Sequence, residues 1–261
     1  KPANDYFEDN TFYSCVVDAY NSYNGTSRAY TDDLTDEELA SITSLRCEGW
    51  LYSDNDRITS AKGVEKLTSL MELYLYDDQL TSIDLSKNTD LIVLDLRHNQ
   101  LTSIDLSKNT KLESLSLSGN QLLTSLDLSS NTSLISLDIY DTDILMQPGE
   151  TYEIEKKIIP PEGQNITYSI GNTSVATVEG NIITALNDGG TTFETRIGRI
   201  SVTVKLVVGI EFSIDKEAVD YYIVDYENKY IYFRVSDDKS IRNVESLQHD
   251  LRPNVGKMVI D

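Results

Sequence analysis

The chain is poor in the residues that most often carry chemistry. Its 261 residues include two cysteines, two histidines and one tryptophan. Cys15 and Cys47 cannot build a disulfide framework or a zinc site; at most they form one bond. Basic residues are short as well, with 22 Lys and Arg against 43 Asp and Glu and a net charge of −21. Such a surface repels nucleic acid and anionic lipid, both of which need a basic footprint. The acid is spread along the chain, so it reads as a solvated surface and not as a tail. No apolar run approaches the roughly 20 residues that span a bilayer. No signal peptide is evident, and a chain that starts at lysine reads as a mature or trimmed product. No nucleophile elbow, zinc-binding helix or phosphate loop occurs. These gaps argue against an enzyme and against a bound cofactor or metal. The length suits two or three domains.

What the chain has in quantity is repetition. Leu80–Thr89 reads LTSIDLSKNT, the same ten letters return at Leu101–Thr110, and LTSLDLSSNT follows at Leu123–Thr132. One extended unit holds Leu70, Leu73, Leu75, Asp78, Leu80, Ile83, Leu85 and Asn88. The next holds Leu91, Leu94, Leu96, Asn99, Leu101, Ile104, Leu106 and Asn109. A third holds Leu112, Leu115, Leu117, Asn120, Leu122, Leu126, Leu128 and Asn131, and a partial unit adds Leu134, Leu137, Ile139 and Ile144. The L-x-L pair has period 2, which sends both leucines to one side of a short strand. A coil this short cannot bury its leucines alone, so the coils must stack. The second apolar pair (Ile83/Leu85, Ile104/Leu106, Leu126/Leu128) predicts a second extended segment on the convex side. The asparagines fall where the chain bends, where their amides can bond turn backbone without any ligand.

The pattern L-x-x-L-x-L-x-x-N-x-L is the leucine-rich repeat signature, and the half-unit LTSIDLSKNT resembles the short repeats of internalin-type bacterial surface proteins. The resemblance covers about residues 42–144 and implies roughly five coils, the first of them degenerate. In that coil Ile42, Leu45 and Cys47 take the strand positions, Trp50–Arg57 reads as an inserted loop, and Gly63–Leu67 as a helical turn. Upstream, Phe12, Val16, Ala19 and Tyr23 recur at helical spacing. Thr35-x-x-Glu38 is a capping box with Leu34 and Leu39 at the staple positions. This segment resembles the helical N-terminal cap of internalin-like proteins. On that resemblance Cys15 and Cys47 face each other, either as a disulfide or as two buried thiols.

Beyond the repeats, Pro148–Thr151, Ile159–Pro161, Ile166–Ser169, Ser174–Val178, Gly180–Ala185 and Ile200–Val204 resemble a bacterial Ig-like domain of group 2. Short strands with turns between them independently suggest a β-sandwich. Tyr221–Val224 and Tyr230–Val235 read as a hairpin. The expected fold is therefore mainly β with a small helical cap. Its expected domains are the cap (1–41), the repeat solenoid (42–144), an Ig-like sandwich (145–208) and a small β module or incomplete Ig-like unit (209–261).

Between and beside the strand leucines lie the residues that would face outward. The central column is Arg46, Tyr74, Asp95, Ser116 and Asp138; one flank is Ser44, Glu72, Val93, Ser114 and Ser136; the other is Glu48, Tyr76, Arg97, Ser118 and Tyr140. Tyr and Arg anchor interfaces because they join contact area to a polar tip. Tyr74, Tyr76, Asp95, Arg97, His98, Asp138 and Tyr140 are accordingly the candidate ligand contacts. Asp95 and Asp138, two strands apart, sit at about 10 Å, near the separation of an inverting glycosidase pair, but nothing in the sequence sets their acidities apart. Asp84, Asp105 and Asp127 stack one coil apart and could attract a cation, although Lys87 and Lys108 offer the same relief. The resemblance implies a secreted or cell-surface bacterial binding protein for a protein or glycan ligand of a host or cell surface, with the Ig-like domain as spacer. It is compatible with a lipid anchor upstream of Lys1. The alternatives are a structural stalk without a ligand, or an accessory part of a polysaccharide-utilisation system.

Overall fold

The computed structural model describes residues 3–49, 56–140, 143–154 and 157–209, together with three strands between 221 and 259. Trp50–Asn55, Asp141, Val235 and His249 lie outside the described residues. The chain divides into two compact units: residues 1–139, 155–167 and 196–202 form the first, and 140–154, 168–195 and 203–261 the second.

The first unit begins with helix α1 (Asn10–Asn24). Asp9 caps it by accepting the Phe12 N–H at 3.0 Å, and Gly25, at φ 63°, ends it. It buries Phe12, Tyr13, Cys15, Val16 and Val17. Tyr23 is 72% exposed, contrary to the spacing that put it on the packed face: the row Tyr13/Val17 joins Phe12/Val16, and Tyr23 falls in the last turn. Helix α2 (Asp36–Ala40) carries the expected capping box, with Thr35 Oγ1 accepting from Glu38 N–H and the Glu38 carboxylate accepting from Thr35 N–H. The Cys15 and Cys47 sulfurs are bonded, with Cα atoms 5.9 Å apart.

Six strands follow within the first unit up to residue 139: β1 (Ser44–Glu48), β2 (Glu72–Tyr76), β3 (Val93–Asp95), β4 (Ser114–Ser116), β5 (Ser125–Asp127) and β6 (Ser136–Asp138). All but β5 form one parallel sheet in chain order. Its register runs Leu45, Leu73, Leu94, Leu115, Leu137 from strand to strand. The repeat thus puts the same leucine of every coil into one buried file, with Leu75, Leu96, Leu117 and Ile139 buried beside it. Each such side chain contributes about 1.5–3 kcal/mol by leaving water.

Two expectations shift here. The third coil has one extra residue, and it is Leu123 that is buried while Leu122 is 62% exposed. The offset from Leu123 to Leu128 matches that from Leu101 to Leu106, so the insertion falls before the repeated ten residues and pushes Leu122 out. Among the described residues, a strand forms on the convex side only at β5. Its partner is the parallel strand Lys157–Ile159, which brings Ile158 opposite Leu126. Leu126 is buried, whereas Ile83 and Ile104, in coils without such a strand, stay half-buried. Residues 155–167, which the sequence set inside the Ig-like stretch, therefore belong to the first unit.

The second unit takes up β7 (Ile144–Met146), β8 (Thr151–Glu153), β10 (Ile166–Ile170), β11 (Ala176–Glu179), β12 (Ile182–Ala185), β13 (Gly189–Ile197) and β14 (Ile200–Val208), β9 being Lys157–Ile159; β10, β13 and β14 run over from the first unit. One sheet has the order β10-β13-β14-β7, the other β11-β12-β8. β11 and β12 are an antiparallel pair turning at Gly180, whose φ of 59° suits glycine. Ile144, Met146, Ile154, Val175, Ile183, Phe193, Leu206 and Val208 share a core. Ile144 belongs here and not to the last repeat, because β7 pairs with β14, Ile144 opposite Leu206. Three further strands, β15 (Tyr221–Asp225), β16 (Tyr230–Arg234) and β17 (Val255–Val259), form an antiparallel sheet. β17 had no counterpart in the sequence reading.

Candidate functional site

Alternation along the parallel strands separates the leucines from the residues between them. In β2, Leu73 and Leu75 are buried and Tyr74 and Tyr76 half-exposed. Register then aligns Arg46, Tyr74, Asp95, Ser116 and Asp138 as one column across five strands, with Ser44, Glu72, Val93, Ser114 and Ser136 as its flank.

These side chains are tied to one another. The Arg46 guanidinium lies 3.9 Å from the centroid of the Tyr74 ring. Arg97 makes a forked contact with Asp95: Nε reaches Oδ1 at 2.9 Å and Nη2 reaches Oδ2 at 2.7 Å. The guanidinium also stands 5.4 Å from the Tyr76 ring centroid. The hydrogen bonds that Arg97 donates to the Asp95 carboxylate raise the Arg97 pKa above its ordinary value. Asp95 is buried, so this pair is a fixed feature of the ribbon. Ser118 Oγ donates to Asp138 Oδ2 at 2.9 Å, and Ser44 Oγ to Glu72 Oε2 at 3.1 Å. Asp95 and Asp138 are separated by the Ser116 strand, as the spacing required. Each is engaged by a different group.

At the end of each strand the chain turns sharply. Asp77 (φ 62°), His98 (φ 52°) and Gly119 (φ 78°) hold the same left-handed position in successive coils. Asp77 N–H donates to Arg97 O at 3.0 Å, and His98 N–H to Ser118 O at 2.8 Å. A side chain at 119 would run into the His98 imidazole. Directly after these bends lie the ladder asparagines. Asn99 Oδ1 accepts the Leu80 N–H at 2.9 Å, and its Nδ2 donates to Leu75 O at 2.7 Å and Leu96 O at 3.1 Å. Asn120 repeats this with Leu101, Leu96 and Leu117.

The structure brings Tyr74, Tyr76, Asp95, Arg97, His98 and Asp138 onto this ribbon or its edge. Tyr140 it does not, because it belongs to the second unit. Its ring meets Phe193 edge-on at 5.9 Å, and its hydroxyl bonds Thr195. Burial pushes its pKa up to about 12. The strand pattern had run its alternation one residue past the point where the chain leaves the repeat. Arg46, absent from the candidate contacts, belongs with them; its place opposite Tyr74 in the column was the available signal.

The stacked convex acids have a local role. Asp84, Asp105 and Asp127 each accept the N–H of the serine two residues on, at 2.9 Å. Hydrogen bonds from that serine hold each carboxyl below its ordinary value. Among the described residues no group of three or more His, Cys, Asp or Glu is placed to hold a metal ion, and no helix is long and apolar enough to cross a membrane.

No family model matches the chain. Over 85 residues it is 37% identical to Internalin J of Listeria monocytogenes, covering 33% of this chain. The chain spans 8% of the length of that curated relative. Among solved structures, a functional domain of InlJ from Listeria monocytogenes, described as including a cysteine ladder, aligns at 33% identity over 53% of this chain and 33% of that one, with a TM-score of 0.43. The internalin InlF from the same species aligns at 28% identity over 55% of this chain and 45% of that one, with a TM-score of 0.41. In sequence, the chain is internalin-like in its leucine-rich repeats.

Proposed function

We propose, starting from this internalin-like character, that the protein is a bacterial surface or secreted binding protein, a leucine-rich repeat solenoid whose outward ribbon holds a protein or glycan ligand. The observation that carries the reading is the column itself. Parallel register concentrates Arg46, Tyr74, Tyr76 and Asp95 on three adjacent strands, with Arg97 just past the end of the third, an area of aromatic and guanidinium surface of the kind that anchors interfaces. Five strands at about 4.8 Å spacing span roughly 20 Å, enough for a peptide, a glycan chain or a small patch of a folded partner. His98 and Asp138 lie at its edges. The Cys15–Cys47 bond supports an oxidising compartment outside the cytoplasm. The sandwich of the second unit, read as a bacterial Ig-like domain, would serve as the spacer.

A structural stalk without a ligand is the competing reading. It is favoured by the mutual satisfaction of the ribbon's own groups, Arg97 with Asp95 and Ser118 with Asp138.

The full chain, probed against host-protein and glycan arrays, separates the two. Tyr74→Ala with Tyr76→Ala should weaken capture by at least about tenfold, equivalent to the loss of one hot-spot aromatic, while the Arg97–Asp95 pair and the thermal midpoint persist. Undiminished capture by the double variant moves the site elsewhere. Failure of the intact chain to bind any array member favours the stalk.

A further inference from the structure

Residues 78, 99 and 120 occupy the same bend in three successive coils. At two of them an asparagine both accepts a backbone N–H and donates to carbonyls of its own and the preceding coil. An amide or a neutral carboxylic acid can do both, whereas an ionised carboxylate can only accept. Residue 78 is aspartate. Its Oδ1 accepts the Ile58 N–H at 3.0 Å, the counterpart of the Asn99 and Asn120 acceptor bonds. Among the described residues its Oδ2 has no hydrogen-bond partner although it is buried, and the residue is 3% exposed. By the step of the ladder, the carbonyls that correspond to the Asn99 and Asn120 acceptors are those of Leu75 and Cys47, paired in β2 and β1. Both are acceptors, and an ionised carboxylate has nothing to offer them. The preceding coil presents glycine at this point: a Cβ on Gly49 would lie 2.8 Å from Asp78 Oδ1 and strike the Asp77 carbonyl.

We propose that Asp78 serves as a proton-operated member of the asparagine ladder, joining the first two coils as the neutral acid and loosening that junction, to which the Ile58 N–H is tied, when it ionises. The charges around it are Arg57 from the preceding segment, Asp77 from its own bend and Asp9 from the N-cap of α1. The Asp9 carboxylate is itself engaged by the N–H groups of Phe12 and Thr59 and by the Thr59 hydroxyl. Burial dominates and pushes the Asp78 carboxyl up to about 7, against the opposing pull of the Ile58 N–H and Arg57; Asp77 and Asp9 add to the rise. A folded-state value above the ordinary 3.8 means that the folded chain holds this proton more tightly than the unfolded chain. The associated stability is complete below the unfolded value and is lost as pH rises through the folded one.

The test uses the full chain. Side-chain carbonyl NMR follows Asp78 from pH about 4 to about 9, and amide exchange, corrected for intrinsic rates, follows Ile58 against Leu80 and Leu101, whose N–H groups are held by Asn99 and Asn120. The expected result is titration of Asp78 near neutrality. Ile58 protection then falls by up to about tenfold per pH unit above that point, while Leu80 and Leu101 keep theirs. Asp78→Asn should abolish the pH dependence at Ile58 and raise the thermal midpoint above neutral pH. Titration of Asp78 in the ordinary carboxylate range, or Ile58 protection that stays level through neutrality, overturns the proposal. The wild-type measurements decide it even where the variant does not fold.

Discussion

The two units reach a packed interior by opposite routes. In the stacked coils of the repeat unit leucine fills most of the core, and each leucine of the buried file meets its equivalents 21 or 22 residues away; across the degenerate first coil the step is 28. In the sandwich unit the core mixes Ile, Leu, Met, Val, Ala, Phe and Tyr from strands far apart in sequence. The difference decides what a position means. In the repeats, inside and outside follow from place in the period, so the outward column changes identity at every coil while the leucines do not. In the sandwich a side chain's role depends on which strand arrives opposite it. The tyrosines make the contrast concrete. Tyr74 lies on the ribbon under Arg46, whereas Tyr140 and Tyr168 close around Phe193.

Three measurements would break or sharpen that contrast. The largest effect is expected in the leucine file. Leu115→Ala should cost about 3–5 kcal/mol in urea unfolding, while Leu122→Ala, one coil position away but exposed, should change stability by less than about 0.5 kcal/mol. Equal costs would mean that the 22-residue coil is threaded differently. Next comes the staple between cap and first strand, which closes a sequence separation of 32 residues. Cys15→Ser with Cys47→Ser should remove about 3 kcal/mol from the repeat unit's transition, and a reductant should reproduce the loss in the wild type but not in the variant. A sandwich transition that moved equally would show that the units do not unfold separately. The smallest effect concerns Tyr140. Tyr140→Phe should cost about 1 kcal/mol through the lost bond to Thr195 and leave ligand capture unchanged. Tyr74→Phe, whose ring keeps its place under Arg46, should leave stability within about 0.5 kcal/mol. Reduced capture by the Tyr140 variant at unchanged stability would return that residue to the site.

Much of the first unit was legible because its period is strict. The strand leucines, the columns beside them and the Thr35 capping box all sit where spacing put them. Legibility ended where the period did. Leu122 and Leu123 are adjacent leucines, and composition cannot say which one an inserted residue displaces. Ile144 and Tyr140 kept the rhythm of the last coil, yet non-local pairing with β14 and packing on Phe193 took them elsewhere. Within the site, the residues of the ribbon could be named from alternation, but the fork between Arg97 and Asp95 could not, since it depends on rotamers. The repeat places Asp78 at the position that Asn99 and Asn120 hold in the next coils; that its Oδ2 is buried with no partner among the described residues is a property of the folded ladder.

The sequence by itself determined that the chain must coil and stack, because leucines at a step of 21 or 22 residues can be buried only against their own copies, and asparagine at most of the bends satisfies the backbone this exposes. Tertiary structure alone decided which strand covers Leu126, where Tyr140 goes and why an acid at position 78 differs from its neighbours. Those outcomes turn on pairings between distant segments and on burial, and neither has a local pattern.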